Sequence, residues 1–289
     1  MKSVWTLSLV SAGGTFLFSS LVAMLALRIA RDKNILSDPK KVRFYTSEKP
    51  LLGHIPLFLS FFLPFALTFG WGVFSDDFFY TLVELKRISI GLFLASLFLV
   101  ISATYSDVRN DPGDLEWIYI IGSSLVLYFF EIRFIVLKIP LIGDINVRFW
   151  GLPLLVVWVL LVVSIMELLD FFEGLASAVI AVVSFVYFYL QIAEGKGEVF
   201  VPVFFATLGG AAAGLLPFQL FRKKILYGKS GNKLVGFLFA AGTVIARRKE
   251  TTGHFFLFPI VLVLFVIVLF HFLFLESQLR PISPGRAEK

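Results

Sequence analysis

The sequence consists of apolar runs about as long as a bilayer is thick, separated by short segments that carry most of the charged residues. A helix needs roughly 20 apolar residues to cross the hydrocarbon core. Hydrophobic residues make up 58% of the chain and charged residues only 16%, which is more apolar surface than a soluble core of this length can bury. The pattern therefore predicts an all-α fold, a polytopic transmembrane helical bundle.

We expect about nine membrane helices, whose approximate bounds follow from the apolar runs. They are 4–30, 51–74, 88–105, 115–136, 152–168, 174–191, 199–217, 230–246 and 255–275. The fifth ends in Glu167 and Asp170 and the eighth has only a short purely apolar stretch, so either one can be broken or tilted. The whole chain, 1–289, is predicted to be one integral membrane domain with a short cytoplasmic tail at 276–289.

Basic residues set the predicted orientation, because loops rich in Lys and Arg are retained on the cytoplasmic side. With nine spans, the side that holds the clusters around Lys40 and Lys223 is the richer one. The N-terminus is therefore expected outside and the C-terminus in the cytoplasm, in a cell inner (cytoplasmic) membrane. The cluster at 247–249 lies on the opposite side and opposes this assignment.

Small residues recur in the seventh predicted helix at Gly209, Gly210, Ala213 and Gly214. Such a face lets two membrane helices approach each other closely. The pattern predicts tight packing of this helix on a neighbour, or a dimer contact, and indicates no chemistry by itself.

Four polar segments lie at the ends of predicted helices on the cytoplasmic side. Polar groups beside membrane helices are costly, so they are candidate functional groups when several gather on one side. Carboxylates there can hold a divalent cation, and lysines or arginines can hold phosphates. An ordinary basic cytoplasmic surface with a few helix caps is the alternative interpretation. The first segment, 37–55, contains the stretches SDPKKVRFY and PLLGHI. The other three are SDVRND at 106–111, ELLDFFEGL at 167–175 and YGKSGN at 227–232.

The order and spacing of these segments resemble those of the polyprenyl-phosphate N-acetylhexosamine-1-phosphate transferases. That family includes the undecaprenyl-phosphate GlcNAc-1-phosphate transferases and the phospho-MurNAc-pentapeptide translocases. The resemblance runs from about residue 20 to the C-terminus. It implies a Mg²⁺-assisted transfer of a sugar-1-phosphate from a UDP-sugar to undecaprenyl phosphate, with release of UMP. It also implies that the protein forms dimers.

Several positions depart from the family's pattern where the resemblance places metal ligands. Asp107 remains from the family's aspartate pair, but Ser106 stands at the other position. In the third segment Asp170 remains, whereas Glu173 replaces the second aspartate. Lys229 stands where the resemblance places a metal-ligating aspartate. An ammonium cannot ligate Mg²⁺, which requires hard oxygen ligands in near-octahedral geometry.

We therefore predict a degenerate family member with no catalytic residue, no bound metal and no other cofactor. Its remnant site would consist of Asp107, Asp170, Glu173 and Lys229. In this site Lys229 pairs with Asp107 or Asp170, or it holds a phosphate directly while Arg43, at the family's loop lysine position, holds a second one.

These departures favour a catalytically inactive relative that serves as a partner subunit or lipid-phosphate-binding scaffold in cell-envelope glycan synthesis. Its expected partners are membrane lipid, including polyprenyl phosphate, and a second copy or a related transferase in a homo- or heterodimer, with no nucleic acid. Two alternatives stay open. One is an active UDP-N-acetylhexosamine:polyprenyl-phosphate phosphotransferase with a rearranged Mg²⁺ site, and the other is an unrelated transporter or membrane scaffold.

Overall fold

The structure is a computed structural model that describes residues 2–32, 54–72, 82–109, 116–139, 143–169, 174–193, 199–220 and 228–248. The chain divides into two compact units, Met1–Thr251 and Thr252–Lys289, and every described residue belongs to the first unit. The ninth predicted helix, 255–275, and the tail, 276–289, lie outside the described residues and stay predictions.

Eight α-helices are present in the described part of the chain, and each overlaps one of the predicted spans. The helical fold class is therefore confirmed there, whereas the total of nine and the orientation of the termini stay predictions. The fifth and eighth helices are continuous, so neither is broken. The helices are α1 Lys2–Asp32, α2 His54–Gly72, α3 Leu82–Arg109, α4 Glu116–Phe129, α5 Gly151–Leu169, α6 Leu175–Ala193, α7 Phe200–Leu220 and α8 Gly228–Arg248.

Five of these helices contain segments long and apolar enough to cross a membrane, which makes the protein multi-pass. Three further helices carry shorter apolar segments, at His54–Thr68, Trp117–Phe129 and Gly231–Ala246. The five long segments are Val4–Ile29, Lys86–Tyr105, Gly151–Leu169, Leu175–Ala193 and Phe200–Gln219.

One prediction is wrong: the fourth helix does not continue to residue 136. α4 ends at Phe129, and an antiparallel hairpin of β1 (Val136–Ile139) and β2 (Gly143–Asn146) follows. A short 3-10 helix, Arg148–Trp150, leads from the hairpin into α5. The strictly all-α prediction therefore misses a small β element between two membrane helices.

The early end of α4 has a local cause in the backbone at Glu131. This residue has a φ of 63°, a left-handed conformation that cannot continue a right-handed helix. Its N–H donates to the carbonyl of Tyr128, and the N–H of Ile132 donates to the carbonyl of Leu127. These two bonds form a Schellman motif, which satisfies the last helical carbonyls. Arg87 at the start of α3 holds the Glu131 carboxylate at 3.1 Å.

α7 and α8 form the centre of the described bundle. Every residue from Gly231 to Ala246 in α8 is buried, as is nearly every residue of α7 from Phe200 to Gln219. α1, α2 and α6 pack against α7, whereas α2, α3 and α5 pack against α8. A helix that is apolar on all sides belongs in the interior of a bundle, so these two are the helices around which the others assemble.

The small residues of α7 allow a close approach to α1, which confirms that part of the prediction. A Cβ placed on Gly210 would lie 2.5 Å from the carbonyl oxygen of Ala12, and one on Gly214 would lie 2.5 Å from that of Phe16. Backbone therefore contacts backbone at both positions. Hydrogen bonds join the same two helices: Ser11 Oγ to Thr207 Oγ1 at 2.7 Å, Ser19 Oγ to the Ala211 carbonyl at 2.8 Å and Ser20 Oγ to the Gly214 carbonyl at 3.0 Å.

Candidate functional site

Three contacts between helix ends lie at the same end of the bundle. His54 begins α2 and contacts Thr104 near the end of α3, and Ser177 near the start of α6 donates a hydrogen bond to Gln219 near the end of α7. Between α5 and α8, the corresponding contact joins Glu167 to Lys233. We call this end of the bundle the motif end, because each of the four polar segments adjoins one of these helix ends.

Aromatic contacts deeper in the bundle show that the three pairs share one end. Phe61 and Phe65 of α2 pack on Phe204 and Phe200 of α7, respectively, so α2 and α7 run antiparallel. A Cβ on Gly242 of α8 would meet the ring of Phe204, which sets α8 antiparallel to α7 as well. The starts of α2, α6 and α8 therefore lie beside the ends of α3, α5 and α7.

The structure brings the helices of the predicted remnant site together but leaves its side chains untested. Asp107 belongs to the last turn of α3 and Lys229 to the first turn of α8, and their side chains are outside the described part of the chain. Arg43, Asp170 and Glu173 lie outside the described residues altogether. The remnant site and the two phosphate contacts therefore stay predictions.

An ion pair at the junction of α5 and α8 is the charged contact that the structure does describe at the motif end. Lys233 Nζ lies 3.8 Å from Glu167 Oε1, and the lysine side chain is only 5% exposed while the glutamate side chain is 33% exposed. Sequence patterns did not distinguish Lys233 from the other basic residues on the predicted cytoplasmic side. The available signal was its spacing: Lys233 follows Lys229 by one helical turn, so the two positions share one face of α8.

A hydrogen bond of His54 joins the start of α2 to the end of α3. The histidine is almost fully buried, and its Nε2 lies 2.9 Å from Thr104 Oγ1. Thr104 uses its own hydroxyl proton to donate to the Val100 carbonyl at 2.7 Å. Since the hydroxyl oxygen then accepts, His54 Nε2 is the donor in this contact. The bond places the start of α2, where the first polar segment ends, beside the helix that carries Asp107.

The sequence pattern that defines glycosyl transferase family 4 matches residues 58–247, well over half of the chain. The chain belongs to glycosyl transferase family 4. This membership confirms the resemblance to the polyprenyl-phosphate sugar-1-phosphate transferases, and the matched region contains the second, third and fourth polar segments. No curated protein matches this family 4 chain.

The side chains of the predicted remnant site lie outside the described part of this family 4 protein, so the absence of bound Mg²⁺ stays a prediction. Within the described ranges, no group of three or more His, Cys, Asp or Glu side chains could hold a metal ion. At the junction of α5 and α8 the carboxylate of Glu167 faces an ammonium. Mg²⁺ is held by carboxylates and several waters in octahedral geometry, and a fixed positive charge beside the carboxylate opposes its binding.

Proposed function

We propose that this family 4 protein is a non-catalytic sugar-1-phosphate transferase homologue that binds the phosphate of a polyprenyl phosphate at its motif end. In this proposal it serves an intact transferase as a partner subunit or scaffold in cell-envelope glycan synthesis. The observation that carries the proposal is the ammonium of Lys233, buried against Glu167 at the junction of two helices that bear family motifs.

Electrostatics connects this observation to loss of turnover. Phosphoryl transfer depends on positioning and on neutralising the charge that develops on the phosphate, and in the related transferases a metal ion supplies that neutralisation. Here Lys229 stands at the position of a metal-ligating aspartate, and Lys233 follows it by one turn of α8. Glu167 neutralises the charge of Lys233, so the ammonium of Lys229 is the charge at this helix start that favours an anion over a divalent cation.

The same charge favours binding of a lipid phosphate. Lysine binds phosphate as a point charge, and the free backbone N–H groups at the start of a helix add to the attraction. Lys229 lies in the first turn of α8, so it combines both contributions. We place the motif end on the cytoplasmic face of a cell inner membrane, because the Lys and Arg bias of the sequence favours that side.

Assay of UMP release tests the loss of catalysis. The purified full-length protein, given a UDP-N-acetylhexosamine, undecaprenyl phosphate and Mg²⁺, is expected to release no UMP above a protein-free control. Co-expression with an intact family 4 transferase from the same cell is expected to yield a complex that co-purifies and releases UMP. UMP release by this chain alone, dependent on both Mg²⁺ and the lipid phosphate, would establish the active alternative instead.

Lipid binding tests the phosphate site separately. Undecaprenyl phosphate is expected to raise the melting temperature of the purified protein, whereas undecaprenol, which lacks the phosphate, is not. Lys229→Ala should weaken this binding at least tenfold, since one lost charge-assisted contact is worth roughly 1.5–3 kcal/mol. Lys86→Ala provides the matched control, because Lys86 is exposed near the start of α3, at the other end of the bundle. Equal stabilisation by the two lipids would contradict phosphate recognition.

A further inference from the structure

We infer that the Lys233 ammonium is an internal counter-ion for Glu167 at the junction of α5 and α8, so that this junction uses a tethered cation and needs no divalent one. The inference rests on the proposed function and deepens it by stating how the helix junction beside the remnant site balances its charge. It rests on geometry within the described helices, and its test reads stability and metal dependence rather than turnover.

The burial of Lys233 requires a partner for its charge. A buried ammonium without a counter-charge costs several kcal/mol, and removal of one member of a buried pair is correspondingly destabilising. Lys233 comes from the second turn of α8 and Glu167 from the last turn of α5, and their charged atoms are 3.8 Å apart. The two side chains therefore neutralise each other across the helix junction.

The charge of Glu167 is unfavourable at the end of its own helix. The start of a helix carries partial positive charge and disfavours a lysine, and the end of a helix carries partial negative charge and disfavours a glutamate. Glu167 occupies such an unfavourable position in the last turn of α5, whereas Lys233 follows the first turn of α8. Because the helices are antiparallel, each side chain offsets the charge of the neighbouring helix end as well as that of its partner.

α5 and α8 are in direct backbone contact one turn deeper in the bundle than the pair. A Cβ on Gly236, one turn after Lys233, would lie 2.9 Å from Val163 Cα and 3.2 Å from Met166 Cγ. Farther along, Trp158 Nε1 donates to Thr243 Oγ1 at 3.0 Å. Mg²⁺ usually keeps several of its waters in proteins, whereas an ammonium on a side chain neutralises a carboxylate without them.

A double-mutant cycle tests the pairing in the full-length protein. Lys233→Met removes the charge but keeps an unbranched apolar side chain, and Glu167→Gln removes the opposite charge at constant shape. Each single variant is expected to lower Tm by roughly 5–10 °C, because it removes one member of a buried ion pair. The double variant should recover to within roughly 3 °C of the unmodified protein, since both charges are then absent.

The matched control is the exposed pair Arg87 and Glu131, at 3.1 Å, with side chains 53% and 37% exposed. The corresponding cycle, Arg87→Met with Glu131→Gln, is expected to change Tm by only roughly 1–3 °C, because solvent screens exposed ion pairs. Equal coupling in the two cycles would overturn the special role of Lys233.

Measurements with and without metal ions distinguish a lysine counter-ion from a bound metal ion. The unmodified protein is expected to have the same Tm in EDTA and in Mg²⁺, and to show no stoichiometric site for Mn²⁺ by electron paramagnetic resonance. In Lys233→Met, Mg²⁺ should recover part of the lost Tm, because Glu167 then accepts an external cation. A Tm of the unmodified protein that falls in EDTA, or a stoichiometric Mn²⁺ site in it, would overturn the inference. So would a double variant that stays as unstable as the single ones.

Lys233→Gln repeats the cycle and the metal measurements with a polar side chain in case Lys233→Met does not fold. Because turnover is not measured, the outcomes separate from those of the proposed function. If the protein releases UMP but has the same Tm with and without Mg²⁺, the proposed loss of catalysis is refuted and the counter-ion role of Lys233 is retained. If the protein releases no UMP but binds Mn²⁺ stoichiometrically, the counter-ion role is refuted and the loss of catalysis is retained.

Discussion

A Gly210→Val protein is expected to yield little folded material, because the first side-chain atom would enter the backbone of a neighbouring helix. The added Cβ would lie 2.5 Å from the Ala12 carbonyl oxygen and 3.2 Å from its Cα. Backbone atoms cannot rotate away as a flexible side chain can, so α1 and α7 must separate. We expect a loss of about 3 kcal/mol or more, a large part of the stability of an ordinary folded domain.

Gly13→Val in α1 is the matched control for this substitution. A Cβ on Gly13 has nothing within 4 Å, so the valine meets open space on the outer face of the same helix pair. Helix propensity alone favours replacement of either glycine, by up to about 1 kcal/mol for alanine. A loss of stability at Gly210, opposite to the effect of helix propensity, would therefore report the close approach of α1 and α7. Size-exclusion profiles of detergent extracts and Tm measure both variants, and equal recovery of the two would contradict the packing.

Phe204→Ala is expected to lower Tm by roughly 10 °C, because the ring lies at the centre of an aromatic cluster. Phe204 is 1% exposed, and its ring centroid lies 5.1 Å from that of Phe61, 5.4 Å from that of Phe205 and 6.0 Å from that of Phe65. Deletion of a buried phenylalanine costs about 3–5 kcal/mol through lost burial and the cavity that remains. Thermal unfolding of the purified protein measures the effect.

Phe149→Ala controls for the loss of a phenyl ring from an exposed position. Phe149 precedes α5 and is 99% exposed, so its removal leaves no cavity. Its Tm should stay close to that of the unmodified protein. Phe204→Leu refills part of the space and should fall between the two alanine variants. A Tm for Phe204→Ala as high as that of Phe149→Ala would show that the cluster does not stabilise the bundle.

The positions of the helices were predictable because a membrane span is long and apolar, and such runs are read directly from the sequence. All eight described helices overlap predicted spans, even α8, whose purely apolar stretch is short. The end of α4 was not predictable in this way. Left-handed helix ends are usually marked by glycine, whereas here Glu131 adopts that conformation and is held by Arg87. The two strands after it lie almost entirely between the fourth and fifth predicted spans, where no regular structure was predicted.

For the candidate site, the sequence predicted which helix ends lie together but not which side chains contact one another. Topology alone places the starts of α2 and α8 beside the ends of α3 and α5, since consecutive membrane helices alternate in direction. The pairing of Glu167 with Lys233 joins residues from helices that are not consecutive, so no local pattern indicates it. Sequence reasoning looked for a partner of Lys229 instead. The contact of Lys233 with Glu167 depends on how α8 packs against α5, which the sequence does not show.

The parallel contact of α1 with α7 has a consequence for how the protein is made. Ser11 and Thr207, which bond across this contact, are 196 residues apart. At a synthesis rate of roughly 5–20 residues per second, the ribosome needs roughly 10–40 s to deliver the second after the first. During that interval α2 is the neighbour already available to α1, and Thr68 of α2 donates a hydrogen bond to Ser11 Oγ at 3.3 Å. The N-terminal helix therefore completes its packing only after α7 has been made, late in the synthesis of the bundle.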